Sequence, residues 1–141
     1  MTCYLDTSLL ISALTREAAT PRMLDWVAAH LHEGLSVSWW VTSEFSAALS
    51  VKLRNGAIDH EGRADALLSY SELIAGEIAV LPLTKRHFDI AARLADQHAT
   101  GLRGSDALHL AVCADYGAEL CTLDKRLASA GPTLGVQTRL L

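Results

Sequence analysis

The chain has no long apolar run, little proline and no surplus of positive charge, and each lack closes a route. No apolar stretch approaches the roughly 20 residues of a membrane-spanning helix, so no membrane role is expected. Three prolines and nine glycines in 141 residues are too few for a collagen-like or low-complexity chain. Only three cysteines occur, Cys3, Cys113 and Cys121. Their number is odd, their spacing fits no CxxC pattern and their neighbours are apolar, so buried reduced thiols are expected, not a disulfide framework or a zinc site. The segment MTCYLDTS carries no basic stretch, so no secretory signal is read there and a cytoplasmic location is the expectation. The formal net charge of −4 at pH 7 speaks against broad electrostatic wrapping of nucleic acid. It leaves room for an enzyme that meets a few phosphates through local Lys or Arg and neutralises its own carboxylates with divalent ions.

What remains is ordinary globular composition, half apolar and one-fifth charged, at a length that suits one domain over residues 1–141. Short β-rich runs alternate with helical patterns. Strands are predicted at 2–5, 35–38, 78–83, 119–123 and 134–137. Helices are predicted at 8–14, 21–33, 42–54, 60–75, 85–98, 106–116 and 124–130. The helix at 60–75 is expected to turn Ala64, Leu67, Leu68, Ser71 and Ile74 inward, and that at 85–98 Phe88, Ala91, Ala92 and Ala95. Strands separated by helices point to an α/β fold with a mainly parallel sheet covered on both faces.

In such sheets ligands sit beyond the carboxyl ends of the strands, and the acidic residues fall there. Asp6 follows the first strand in YLDTS, and Asp124 follows a late buried strand in CTLDKRL. Glu44 is placed in the first turn of the helix after the second strand. Asp106 opens the helix SDALHLAVCADYG, with Ser105 as its expected cap. Each acid taken singly also reads as a helix cap or first-turn acid. Together, four carboxylates at one sheet edge would repel and take up protons unless a cation neutralised them. Carboxylate and water oxygens at an open site suit Mg²⁺ or Mn²⁺, which bind substrate phosphates as well.

YLDTS, TSEF, GLRGSDALHLA and ELCTLDKRLA, taken as an ordered set, resemble the four signature blocks of PIN-domain proteins, most of all VapC-type toxins of toxin–antitoxin pairs. The resemblance covers essentially the whole chain. It implies a three-layer α/β/α fold around a short parallel sheet, and Mg²⁺- or Mn²⁺-dependent endoribonuclease activity on RNA. It carries the metal-holding and catalytic roles to Asp6, Glu44, Asp106 and Asp124. Thr7 and Ser8 match the hydroxyl positions after the first acid, and Thr122 the one before the last. It further implies a homodimer held inactive by a small VapB-like antitoxin.

Arg103, in a glycine-flanked loop, is a candidate contact for a scissile phosphate, with plain solvent exposure as the alternative. Lys125 and Arg126 invite the same pair of readings, and Lys85-Arg86, Lys52 and Arg54 do so more faintly. The adjacent Trp39 and Trp40 cannot both face one side of a strand. Core or dimer packing is expected of them, against base stacking by one. His109 shares a helix face with Asp106 and is read as a packing or supporting histidine. His30, His32, His60, His87 and His98 form no metal-binding pair and receive no role.

Rival folds fare worse. A haloacid-dehalogenase-like phosphatase needs a second Asp where Ser8 stands. A phospho-receiver domain needs an acid after the third strand, which here ends in PLTKRH. Two readings within the PIN fold stay open beside the toxin: an RNA-processing or decay nuclease without an antitoxin, and a catalytically idle binding module.

Overall fold

Apolar strands with alternating parity meet amphipathic helices in this computed structural model, which describes residues 1–141. The elements run β1 (Cys3–Leu5), α1 (Thr7–Leu14), α2 (Thr20–His30), β2 (Leu35–Ser38), α3 (Trp39–Arg54), α4 (His60–Gly76), β3 (Ala79–Leu81), α5 (Lys85–Ala95), α6 (Gly104–Tyr116), β4 (Glu119–Thr122), α7 (Lys125–Thr133) and β5 (Thr138–Leu140). Single 3₁₀ turns follow α2 and α5. The five strands form one sheet in the order β3-β2-β1-β4-β5, every pair parallel.

Parallel crossovers are right-handed. From β1 the chain therefore winds one way through β2 to β3, and from β4 the other way to β5. This places α1 to α4 on one face, where they pack together, and α5 to α7 on the other, where α5 packs on α6 and α7 lies against β4 and β5. The result is the expected α/β/α sandwich. The strand order reverses between β1 and β4, the position where open sheets of this kind leave a crevice.

The core is continuous through both layers and includes Tyr4, Leu5, Leu9, Leu35, Phe45, Leu49, Leu110 and Leu120, all essentially inaccessible. Phe45 of α3 stacks on Tyr70 of α4 with ring centroids 4.7 Å apart. The Tyr70 hydroxyl meets Thr42 at 2.7 Å, so the ring is buried without an orphaned polar group. Gly117 ends α6 with φ of 67°, the left-handed cap that glycine adopts without strain.

Several expectations shift. The last strand lies at 138–140, not 134–137. Trp39 and Trp40 open α3 and do not lie on a strand; Trp39 is 54% exposed, while Trp40 packs against the buried cluster of Ala91, Ala107, Leu108 and Ala111. The buried stripe of α4 is Ala66 and Tyr70, flanked by Leu67 and Leu73, so Ala64, Leu68 and Ser71 face solvent. The stripe rotates because Tyr70, a polar-tipped ring with a hydroxyl partner, is one of its anchors. On α5 the buried residues are His87 and Ala91, and both Phe88 and Ala92 are exposed. His87 can be buried because Thr84 N–H donates to its Nδ1 at 2.9 Å, while its Nε2 lies 3.0 Å from Asp115.

Candidate active site

The carboxyl ends of β1 and β4 turn directly into helices, and the first residues of those helices need acceptors for unpaired N–H groups. Asp6 fills that need for α1, its Oδ1 accepting from Leu9 N–H at 3.2 Å. Asp124 fills it for α7, accepting from Arg126 and Leu127 N–H at 2.8 and 3.0 Å. Capping therefore explains part of why both are acids. It does not explain Asp106. Helix α6 opens at Gly104 with Arg103 at the cap position, so neither Ser105 nor Asp106 caps it. Asp106 stands in the first turn, and its carboxylate has no hydrogen-bond or ion-pair partner.

Asp6 is 4% exposed and tightly aimed. Thr122 donates to its Oδ2 at 2.6 Å and Ser8 to its Oδ1 at 2.7 Å. Thr122 Oγ1 also accepts from Asp124 N–H at 2.9 Å, and Ser8 Oγ from Leu123 N–H at 3.2 Å. The hydroxyls at 8 and 122 thus lock the ends of β1 and β4 together around Asp6. Burial pushes the Asp6 carboxyl above its ordinary range, with the Thr122 and Ser8 hydroxyls opposing.

Glu44 comes from α3. Since that helix begins at Trp39, Glu44 lies in its second turn and not the first. Thr7 donates to its Oε1 at 2.8 Å, and His109 Nε2 makes a short hydrogen bond to the same oxygen. Burial works against the Glu44 charge, but the hydrogen bond and charge of His109, with Thr7, outweigh it and hold the pKa below its ordinary value. The other ring nitrogen of His109 meets the Tyr4 hydroxyl at 2.8 Å, and that hydroxyl meets Ser38 Oγ at 2.8 Å. Both ring nitrogens of His109 are thus engaged, Nε2 by the carboxylate and Nδ1 by the Tyr4 hydroxyl. A buried line from Ser38 through Tyr4 and His109 therefore ends on Glu44. His109 has the supporting role read from the sequence. Tyr4 was missed there; its only signal is a polar tip at the centre of an otherwise apolar strand.

The four acids thus come together at one edge from four elements. Burial raises the Asp106 pKa first and the charge of Asp124 raises it further; the charge of His109 opposes them, and Glu44 and Asp6 add smaller pushes upward. No lysine or arginine pairs with any of the four. Oxygen-only donors carrying unneutralised negative charge fit a hard divalent cation. The donors stand apart: no three of these acids bring their oxygens within 4.8 Å of one another, as Cys3, Glu119 and Cys121 do with their donor atoms elsewhere in the protein. Cavities of about 340–430 Å³ are also lined by other residues. An open set suits an ion that keeps several of its waters. Arg103 and Lys125 are exposed, adjoin Asp106 and Asp124 in sequence, and form no ion pair.

A PIN-domain family model matches residues 3–131. The chain belongs to the PIN-domain family. Among solved structures, VapBC2 from Rickettsia felis, bound to a DNA fragment from its promoter, aligns with a TM-score of 0.73 at 10% identity, covering 99% of this chain and 98% of that one. PAE2754 from Pyrobaculum aerophilum aligns at 0.71 with 21% identity, over 98% and 83% of the two chains. VapC20 of Mycobacterium tuberculosis, a sarcin–ricin-loop-cleaving toxin, aligns at 0.72 with 17% identity, over 92% and 95%. At such identities the likeness is one of fold. No curated protein matches the sequence. The PIN model ends at residue 131, so β5 lies outside the matched segment, while all four acids lie within it.

Proposed function

We propose that this PIN-domain protein is a metal-dependent endoribonuclease that hydrolyses phosphodiester bonds of single-stranded or loop RNA, as the toxin of a two-protein toxin–antitoxin pair. The observation that carries the reading is the unpaired Asp106, facing Asp6, Glu44 and Asp124 with no lysine or arginine to balance them and only His109, on Glu44, offsetting their charge. Structure without function gives no reason to leave a half-buried carboxylate among three others.

Asp6, Asp106 and Asp124 would hold Mg²⁺ or Mn²⁺, with Glu44 binding directly or through water. When bound, such an ion activates water for in-line attack on phosphorus and offsets the charge that develops there. The chain's own contribution is aim. Ser8 and Thr122 fix both oxygens of Asp6. Thr7 and His109 fix Oε1 of Glu44 and leave Oε2 to face the site. Arg103 and Lys125 flank the edge as phosphate contacts that steer the RNA backbone across it. The fold shared with VapBC assemblies supports a small VapB-like antitoxin as partner, a homodimer as the working state and the cytoplasm as its location. No helix is long and apolar enough to cross a membrane.

The test is cleavage of a single-stranded RNA by the purified chain. Cleavage is expected with Mg²⁺ or Mn²⁺, is lost in excess chelator, and is lost in Asp6→Asn protein that keeps its far-ultraviolet dichroism. Full activity in chelator, or undiminished cleavage by folded Asp6→Asn, would sink the proposal. Co-purification with the product of an adjacent short gene separates the toxin from an RNA-decay nuclease.

A further inference from the structure

We propose that Cys3, Glu119 and Cys121 form a second metal site, on one face of β1 and β4, that takes a thiophilic divalent ion of the zinc, cobalt and cadmium class. The inference is independent of the nuclease reading. In the parallel pairing of β1 with β4, Cys3 lies opposite Glu119 and Leu5 opposite Cys121. Side chains two apart on a strand share a face, so both thiols and the carboxylate emerge on the same side. One donor atom from each lies within 4.8 Å of the other two. Two sulfurs on a tetrahedral zinc stand about 3.8 Å apart, so closing the site takes movement on the order of 1 Å.

The surroundings differ from those of an ordinary buried cysteine. Cys113 sits in the apolar core with no hydrogen-bond partner. Cys3 and Cys121, both fully buried free thiols, instead have their sulfurs within 4.8 Å of each other, and the Cys3 thiol donates to Glu33 Oε2 at 3.4 Å. Glu33 is thus a fourth donor within reach. Arg139, opposite Cys121 on β5, bonds Oε2 of Glu119 at 2.7 Å and stands 3.7 Å from Oε2 of Glu33. That leaves Oε1 of Glu119 open to an ion.

The charge of the cluster permits the exchange. Two carboxylates against one guanidinium leave a single negative charge while both thiols are protonated. When a divalent ion enters, each thiol gives its proton to solvent and each sulfur bonds the ion; nothing is oxidised or reduced. The cluster keeps the same net charge, so no additional charge is buried. Burial pushes both thiols above their ordinary pKa, which keeps them protonated until a metal displaces the protons. Donor softness selects the ion: thiolates favour zinc-class metals over the Mg²⁺ or Mn²⁺ suited to the oxygen edge. Bound there, the ion would staple opposite ends of the chain, together with the turn that carries Glu33 into β2.

The experiment titrates the full chain with Co²⁺ and Cd²⁺, in a phosphine reductant and saturating Mg²⁺ to occupy the acidic edge. The expected result is a thiolate-to-metal charge-transfer band that saturates at one equivalent. It should be absent in Cys3→Ala and Cys121→Ala and retained in Cys113→Ala. Glu119→Gln keeps both sulfurs and the packing around them, and should weaken binding at least about tenfold. A folded wild-type chain with no such band overturns the site. So does a band that survives loss of Cys3 and Cys121, or a Glu119→Gln titration identical to wild type.

Discussion

The same two strands, β1 and β4, present oxygen beyond their carboxyl ends and sulfur on one shared face, at Cys3 and Cys121. At the oxygen edge the strands pass into helices within one or two residues, and Asp6 and Asp124 serve as caps before they serve as anything else. The donors there stand apart and uncancelled. On the sulfur face the donors lie within the strands, closer together, and Arg139 already balances the carboxylates. The difference teaches that strand ends and strand faces recruit donors for different reasons. Caps supply oxygen at one end whether or not a ligand follows. Register alone decides which side chains meet on the shared face.

Crossed substitutions test that separation most severely. Asp6→Asn should reduce RNA cleavage more than about a hundredfold, beyond the usual cost of losing an indirect metal partner, and leave the thiolate band of the sulfur face intact. Cys121→Ser should do the reverse, with cleavage within about threefold of wild type. If either variant disturbs both readouts, the two sites are coupled and the comparison fails.

A smaller effect is expected from crowding at the strand that carries Arg139. A Cβ on Gly131 of α7 would stand 2.2 Å from Thr138 Cγ2 and 3.0 Å from the Val136 carbonyl oxygen. Gly131→Ala should therefore cost about 1–3 kcal/mol of stability, read by urea denaturation, with cleavage per folded molecule unchanged. Comparable in size is Tyr4→Phe, which removes the hydroxyl between Ser38 and His109. Leaving those buried partners unsatisfied costs about 1–3 kcal/mol. Here cleavage should fall too, because His109 loses what orients it toward Glu44.

The smallest change sharpens the charge argument. Asp106 has its pKa raised in the fold, by burial and then by Asp124, so its ionised form destabilises the metal-free protein near neutrality. As pH falls through the raised value, the group protonates and that destabilisation disappears. Asp106→Asn should thus stabilise the metal-free chain at pH 7 by less than about 1 kcal/mol, since water screens a half-exposed group. The gain should vanish in acid and turn into a loss once Mg²⁺ is added. A thermal melt series across pH, with and without metal, shows each sign.

Much of this was legible in the sequence. All five strands and seven helices were anticipated within a few residues, β5 excepted, because apolar runs bounded by Gly, Pro and capping residues are local signals. The acids were legible as a set through their places after strands and at helix starts. What escaped depended on partners far along the chain. Tyr70 and His87 are buried by hydrogen bonds to Thr42, Thr84 and Asp115, so apolar spacing alone finds Leu67, Ile74, Ala91 and Ala95 inside but also turns in Ala64, Leu68, Ser71, Phe88 and Ala92, which are exposed. The Trp39-Trp40 pair was misplaced because α3 starts immediately after β2, with no loop between them. Cys3 and Cys121 show no linear motif, and only strand register brings them together.

The central strand has a consequence for how the protein comes into being. β1 is made first, yet the neighbour that completes its pairing, β4, is among the last segments synthesised. Pairings between distant segments form slowly, after the intervening loop is closed. A growing chain therefore exposes Asp6 early but lacks the Thr122 hydroxyl that aims it. Ribosome-stalled chains ending before residue 119 should therefore show no cleavage, because neither Thr122 nor Asp124 has yet been added to the site.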